Sequence, residues 1–415
     1  FSYGIISSVA AVGAALGPIV GGFFTTFISW RWAFRTELVI AVVVLFMARY
    51  LQADLLPEKR PKFDFTGALL SIFGWSSIVL GILLAQKYGF FLAKEPFVLG
   101  PLEIAPFGLS ITPILVGLGF LLILLLFRWE RGLEVQNKDA LFRPSLFKID
   151  GLKSGMTTRF LQTGITAAFL YVVPLLLQLS FEFTAMQTGL ALMPFSLSLL
   201  IMAIIGARLS SRFYANRIIQ AGFVLAAIGL GAMAASIQPG AGPEDLVLGG
   251  IFGAGVGLIA SQILNLILSS VSEEQTPETA GLTSTFEQLG NAIGVALVGT
   301  VMLGALAVNL QQGINASTVI PPEAKAPLTA KVEESVQLMS SSVLESGLEE
   351  AGVAADDAQE IGDIYALSRT QAFKSGAGLL VYASLLGLVV SLWLPKRKLV
   401  DTAESPPAES LVAEG

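Results

Sequence analysis

The chain has 415 residues, of which 54% are hydrophobic and only 13% charged, and its mean hydropathy is +0.73. Soluble domains carry about 25% charged residues, so this sequence cannot cover a water-facing surface, and its apolar excess is expected to face a lipid bilayer. The absence of cysteine and histidine excludes disulfide frameworks, Cys/His zinc sites and Ser-His-Asp triads, and the net charge of −6 gives no reason to expect nucleic acid as a partner.

Ten mostly apolar stretches are each long enough to cross a bilayer as a helix, which takes about 20 residues. Uninterrupted apolar runs such as Ile111 to Phe127 lack the alternation of a barrel wall. The predicted architecture is therefore an all-α integral membrane bundle. The predicted spans are roughly 3–28, 32–51, 65–86, 107–128, 156–180, 188–208, 218–237, 245–270, 282–307 and 373–394.

The chain begins at Phe1 rather than at methionine, directly with an apolar run. No charged region and no small-residue cleavage site precede or follow this run, so it is not a signal peptide. We expect an N-terminal part of the protein to be missing from the sequence. We do not expect the chain to transport a solute without that part.

The first predicted span contains a glycine ladder, because Gly13, Gly17 and Gly21 are four residues apart and lie on one helix face. Such a face lets the backbone of another helix approach closely. Pro18 and Gly22 add a position without a backbone donor and a further small residue. Ordinary packing of small residues between membrane helices is the alternative interpretation.

Polar side chains inside two later spans are costly in hydrocarbon and should face a cavity or another helix. The fifth predicted span contains Gln162, Thr163 and Thr166, and the eighth contains Gln262 and Asn265 at a spacing of three residues. A substrate cavity and hydrogen bonding between helices are both open interpretations for each residue, and for Gln262 with Asn265 we favour the cavity.

The loops predict the orientation of the chain. Most of the 25 lysines and arginines fall on one side, together with the C-terminal tail. The positive-inside rule therefore predicts a cytoplasmic C-terminus. Residues 309–371 form a long acidic connection on the other side, in which apolar residues at helical spacing between Val332 and Leu348 predict a short surface helix.

Several motifs together resemble the major facilitator superfamily, and in particular its fourteen-span drug:proton antiporters. The glycine ladder with Pro18 resembles the antiporter motif of the fifth span in that family, and the Trp-Arg-Trp-Ala-Phe run that follows resembles the junction into the sixth span. The further motifs that carry the resemblance are Asp64-x-x-Gly67, Gln187-x-Gly189-Leu190 through Met193-Pro194, and Ala280-Gly281-Leu282 through Gly294. The resemblance implies that about four spans precede Phe1.

This resemblance implies a secondary active transporter that exports amphipathic drugs or metabolites by proton antiport with alternating access. It places the five polar residues named above in the substrate cavity, and Gly290 and Gly294 with the first glycine ladder at the interface between two helical bundles. The implied partners are a small-molecule substrate, protons and the lipid bilayer of the plasma (inner) membrane. No cofactor is implied, and we expect a monomer.

Five charged residues are candidates for gating or coupling. Arg35 and Glu37 follow Arg31 at a junction that is usually uncharged in the family, where they could pair or cap a helix end, and we favour the cap. In the loop after the sixth predicted span, Arg212 matches the arginine of the family's motif, but Ser211 stands where the family usually has an acid. This replacement speaks against a gating ion pair in that loop. Glu287 opens the ninth span. No acid lies near the middle of any predicted span, so the coupling carboxylates would lie in the missing part.

Three alternatives remain open. A uniporter or symporter of the same fold would take up a small nutrient instead of exporting a drug. A membrane-embedded enzyme is disfavoured because such enzymes generally rely on histidine or cysteine. A receptor would use the acidic loop to bind a ligand.

The predicted organisation follows the same resemblance. The end of an N-terminal bundle is followed by a central pair of spans, a C-terminal bundle interrupted by the acidic loop, and a disordered tail. The predicted boundaries are 1–60, 61–150, 151–308, 309–371, 372–398 and 399–415.

Overall fold

The computed structural model describes residues 13, 16–50, 62–93, 95–99, 102–104, 108–237, 247–335, 337–350, 353 and 355–398. This part of the chain is almost entirely helical. Its helices are α1 (Leu16–Ile28), α2 (Arg31–Ala48), α3 (Phe65–Tyr88), α4 (Ile111–Val135), α5 (Leu152–Ser180), α6 (Ala185–Ala191), α7 (Met193–Leu209), α8 (Ala215–Ser236), α9 (Gly249–Leu268), α10 (Thr276–Ala316), α11 (Pro322–Ser335), α12 (Ser341–Glu350) and α13 (Ala355–Ser391). Between α3 and α4, the short strands β1 (Phe97–Leu99) and β2 (Leu102–Ile104) pair antiparallel, with Val98 opposite Glu103.

Seven of the described helices are long and apolar enough to cross a membrane: α3, α4, α5, α8, α9, α10 and α13. Helices α6 and α7 add an eighth span if they are counted as one segment bent by 41°. The predicted count of ten is therefore not confirmed. Helix α2 has 18 residues but carries Arg31, Arg35 and Glu37 in its first two turns, and much of the first predicted span lies outside the described residues.

One bundle is formed by six helices: α5, α7, α8, α9, α10 and α13. Within it, α9 packs between α7 and α8. The glycines of α9 make this packing possible because they lie on two faces of the helix. Gly253 and Gly257 meet the backbone of α7 at Phe195 and Leu199, whereas Gly255 meets the backbone of α8. Three backbones therefore approach one another without side chains between them.

The core of this bundle is aromatic where α5, α7 and α9 meet. The ring of Phe169 lies 4.9 Å from that of Phe195 and 4.5 Å from that of Phe252, and the last two are 5.6 Å apart, all between centroids. All three side chains are almost completely buried. Such a cluster adds specific ring contacts to the burial of apolar area.

Helices α3 and α4 form a separate hairpin that contacts the bundle through α10. Asp64 caps the start of α3 by accepting a hydrogen bond from the amide of Gly67 at 3.0 Å. The indole Nε1 of Trp129, near the end of α4, donates to both carboxylate oxygens of Asp64 at 3.1 Å. The Asp64-x-x-Gly67 motif thus caps one helix and ties it to the next.

The acidic connection predicted over residues 309–371 is largely helical in the part that the structure describes. Helix α10 has 41 residues and α13 has 37, which correspond to about 60 and 55 Å. A bilayer core is about 30 Å thick, so both helices extend well beyond it. The predicted boundaries at 308/309 and 371/372 fall inside these helices, and α11 and α12 replace the single predicted surface helix.

Side chains of α13 hold the segment between α11 and α12. The hydroxyl of Tyr365 accepts a hydrogen bond from the amide of Met339 at 2.7 Å and donates to the carbonyl of Gln337 at 2.9 Å. Arg369 Nη1 donates to the carbonyl of Met339 at 2.9 Å, and Nη2 contacts the Ser341 hydroxyl at 3.1 Å. We call residues 317–354, with the projecting ends of α10 and α13, the cap.

Candidate functional site

The first part of the site is a close crossing of α1 and α6. A Cβ atom built on Gly22 would lie 2.5 Å from the carbonyl oxygen of Ala185, and one built on Gly189 would lie 2.5 Å from that of Pro18. Across the same crossing, the amide of Met186 donates to the hydroxyl of Thr26 at 2.9 Å. The two backbones are therefore in direct contact, and glycine is required on both sides.

The predicted antiporter motif contributes to this crossing through Pro18 and Gly22. Apart from the backbone of the same helix, no atom of the described residues lies within 4 Å of a Cβ built on Gly13, Gly17 or Gly21. The glycine ladder therefore points away from the described helices, and the adjacent face of α1 makes the contact.

The second part of the site is an ion pair between α5 and α10. Arg159 Nη2 lies 2.7 Å from Glu287 Oε2, and its Nη1 donates to the side-chain oxygen of Gln162 at 2.9 Å. The Thr163 hydroxyl donates to the backbone carbonyl of Glu287 at 3.1 Å. The side chains of Arg159 and Glu287 are 15% and 35% exposed, so the pair is largely shielded from solvent.

Glycines bring the two helices together beside this pair. A Cβ on Gly164 would lie 2.9 Å from the carbonyl oxygen of Gly290, and one on Gly294 would overlap the backbone of Gly164. Gly290 and Gly294 thus serve the packing of α5 against α10 within one bundle. This contact differs from the predicted one with a second bundle.

The residues predicted to line a substrate cavity lie in two separate helix contacts. Gln162 and Thr163 are each 5% exposed and belong to the α5–α10 contact, where the Thr166 hydroxyl donates to the Gln162 carbonyl at 2.7 Å. Gln262 donates from Nε2 to the carbonyl of Gly206 on α7 at 2.8 Å, while its Oε1 is buried without a hydrogen-bond partner among the described residues. Asn265 is half-buried on the same helix as Gln262. The hydrogen bonds of Thr163 to Glu287 and of Gln262 to Gly206 join two helices, which was the alternative to a cavity, whereas the bond of Thr166 stays within α5.

The other gating candidates are exposed. Arg31 stacks on Trp30 and Arg35 on Trp32, with 4.9 and 5.0 Å between guanidinium carbon and ring centroid. Neither Arg35 nor Glu37 forms the favoured cap of α2, and the alternative, a pair between them, is not among the ion pairs of the described residues. Arg212 lies exposed in the turn between α7 and α8. Glu287 is therefore the one candidate of the five for which the described residues provide an ionic partner.

The sequence analysis missed Arg159 as a site residue. The signal was available, because this arginine lies inside the fifth predicted span, where a charge is costly unless it is paired. The identity of its partner was not available, since Glu287 is 128 residues further along the chain.

Comparisons with known proteins agree with this architecture. The family model described as Major Facilitator Superfamily matches residues 1–295. The chain is 30% identical to the cephamycin export protein CmcT of Amycolatopsis lactamdurans, with 72% of this chain and 58% of the relative covered. It is 27% identical to a probable actinorhodin transporter of Streptomyces coelicolor (74% and 51% covered) and 25% identical to the puromycin resistance protein pur8 of Streptomyces alboniger (74% and 58%). The chain thus spans somewhat more than half the length of these relatives.

Proposed function

Since the chain belongs to the Major Facilitator Superfamily, we propose that this multi-pass membrane protein acts in secondary active export of amphipathic drugs or metabolites. The relatives named as an export protein, a transporter and a resistance protein support export as the direction. A chain with 13% charged residues also suits a pathway for apolar and amphipathic solutes better than one for highly charged solutes.

The α1–α6 crossing is the observation that carries the proposal. Here Gly22 and Gly189 leave two backbones in contact with no interdigitated side chains between them. Interdigitated side chains would hold two helices in one register, whereas bare backbones can shift against each other at lower cost. We assign this crossing to the surface along which two bundles rock during alternating access.

We further assign the Arg159–Glu287 pair as an element that keeps α5 and α10 together during this rocking. A shielded ion pair between two helices favours one relative position of those helices, because separating its partners leaves two uncompensated charges in a poorly hydrated region. The pair would therefore help one bundle to move as a single body through the transport cycle.

The remaining features of the proposal follow the family resemblance. We propose coupling to inward proton flow, fourteen spans in the whole transporter, a plasma-membrane location with a cytoplasmic C-terminus, and a monomeric state. The five polar residues predicted for the cavity, Gln162, Thr163, Thr166, Gln262 and Asn265, remain proposed substrate contacts.

The test is a transport assay on the full-length protein in proteoliposomes, with an amphipathic fluorescent dye and an imposed proton gradient. Dye should move against the direction of proton flow and should stop when a protonophore collapses the gradient. Dye moving together with protons would favour the symporter alternative, and movement that is independent of the gradient would favour a uniporter.

A second variant tests the receptor alternative. Replacing residues 322–350 by a Gly-Ser linker should leave transport unchanged, and loss of transport in this variant would favour the receptor alternative.

A further inference from the structure

A cavity of about 370 Å³ lies where the end of α4 meets the short 3-10 helix Pro144–Lys148. It is separate from the α1–α6 crossing and from the Arg159–Glu287 pair. Its lining includes three basic side chains and one acid, around an aromatic ring and a hydroxyl. These residues are Arg128, Arg131, Lys148, Glu134, Phe127 and Ser145.

The three basic groups of this cavity have no ionic or hydrogen-bonding partner among the residues that the structure describes. The ion pairs of the described residues are Lys87–Glu95 and Arg159–Glu287, so none of the three takes part in one. No side-chain hydrogen bond of the described residues uses them either, and all three are exposed. With Glu134 as the one acid of the lining, the cavity has an excess positive charge that is free to bind an anion from outside the chain.

The walls of the cavity are held in place by packing. The ring of Phe127 lies 5.3 Å from that of Phe142 and 5.5 Å from that of Phe147, between centroids. Leu146, in the middle of the 3-10 helix, is completely buried. The amide of Arg143 donates to the carboxylate of Glu278 on α10, which ties the segment to the bundle. The cavity is therefore preformed and needs no rearrangement to receive a ligand.

An exposed apolar stripe leads along α4 to the same cavity. Leu121 and Leu124 are 53% and 67% exposed, and Arg128 and Arg131 follow at spacings of four and three residues on the same helix face. Because α4 is long and apolar enough to span a membrane, this stripe faces acyl chains when the helix is in a bilayer. A free phosphate ion would use the basic end and leave the stripe without a role.

We propose that this cavity and stripe bind one anionic glycerophospholipid, with the phosphate between Arg128, Arg131 and Lys148 and an acyl chain along Leu124 and Leu121. Arginine pairs with phosphate through two parallel hydrogen bonds, and basic pockets beside spanning helices bind anionic headgroups. The lipid would fasten the α3–α4 hairpin to the segment that leads into α5. The inference needs α4 to lie in a bilayer and does not depend on transport.

The test uses the full-length protein in nanodiscs that contain phosphatidylcholine with a small fraction of spin-labelled phosphatidylglycerol. Electron paramagnetic resonance measures the lipid immobilised by the protein. The wild type should select phosphatidylglycerol over phosphatidylcholine, and R128Q/R131Q should weaken that selection about 25-fold, since each basic residue near an anionic surface contributes about fivefold. R208Q/R212Q, which removes one exposed charge from the last turn of α7 and one from the α7–α8 turn, should leave this selection unchanged.

Three results would overturn the proposal, and each would indicate a different mode of binding. Equal loss in R208Q/R212Q would mean that total charge attracts the lipid rather than this cavity. Complete displacement of the labelled lipid by millimolar inorganic phosphate would identify a site for the free ion. Unchanged selection in L124Q, together with equal binding of the water-soluble headgroup glycerophosphoglycerol, would exclude the acyl-chain contact. Matching melting temperatures of all variants would show that each one is folded.

Discussion

A guanidinium group that is mostly shielded from water needs a balancing charge nearby, and Arg159 obtains it from Glu287 on another helix. The same guanidinium also orients the amide of Gln162. The position of Arg159 in an apolar segment could have been read from the sequence as a sign of pairing. The choice of partner depends on how α5 and α10 cross, which is set by Gly164, Gly290 and Gly294 and is not a local property of the sequence.

A double-mutant cycle with Arg159→Ala and Glu287→Ala should give a coupling free energy of about 1.5–3 kcal/mol, because hydrogen bonds to charged groups stabilise by about that amount. The measurement is the free energy of unfolding in detergent. The Lys87–Glu95 pair is the matched control. Its atoms are 3.9 Å apart and its side chains are 65% and 39% exposed, so its coupling should be below about 0.5 kcal/mol. Equal coupling in both cycles would contradict the role given to burial.

At the scale of elements, helix contacts in this molecule are made where glycine meets backbone. Of the glycine-rich motif in the first predicted span, the described contact uses Pro18 and Gly22 and not the ladder Gly13, Gly17 and Gly21. Spacing shows which residues share a helix face but not which face meets a neighbouring helix. The contacting face of α1 could therefore not be predicted. The glycines of α9 were not singled out at all, although they meet two helices.

Gly22→Val and Gly21→Val form a matched pair that tests the α1–α6 crossing. Valine at position 22 would press against the backbone of Ala185, whereas valine at position 21 would meet open space. We expect G22V to reduce dye export at least tenfold while the amount of protein in the membrane stays the same, and G21V to keep most of the activity. Gly189→Val should behave like G22V, since its Cβ would meet the carbonyl of Pro18. Full activity in G22V, or an equal loss in G21V, would contradict the assignment.

For the whole molecule, the helical class follows directly from the apolar excess, because in lipid a chain satisfies its backbone groups within helices. The count and ends of the spans could not be predicted as well. Helices α10 and α13 run past any plausible bilayer boundary, and composition gives no signal where a helix leaves the membrane but continues in water. The contact between α3 and α10 was also beyond prediction, since it joins residues far apart in the chain.

The absence of cysteine from the chain allows a crosslink to test alternating access. Thr26 and Met186 are suitable positions for a cysteine pair, because a hydrogen bond joins them directly across the α1–α6 crossing. In the T26C/M186C variant, made in a full-length protein without other cysteines, oxidation should stop export almost completely and a reductant should restore it. Each single variant should export in both conditions. Undiminished export by the crosslinked protein would show that α1 and α6 stay together throughout the cycle.

The tethering of the cap by Tyr365 and Arg369 has a practical consequence. Helices α10 and α13 continue from the bundle into the cap without a break, and side chains of α13 hold the cap. A tilt of the bundle by a few degrees would therefore displace the cap, at the far end of these long helices, by a larger distance than it displaces the bundle itself. A fluorophore attached at the exposed Val343, outside both proposed sites, would then serve as a reporter of bundle orientation in single transporters.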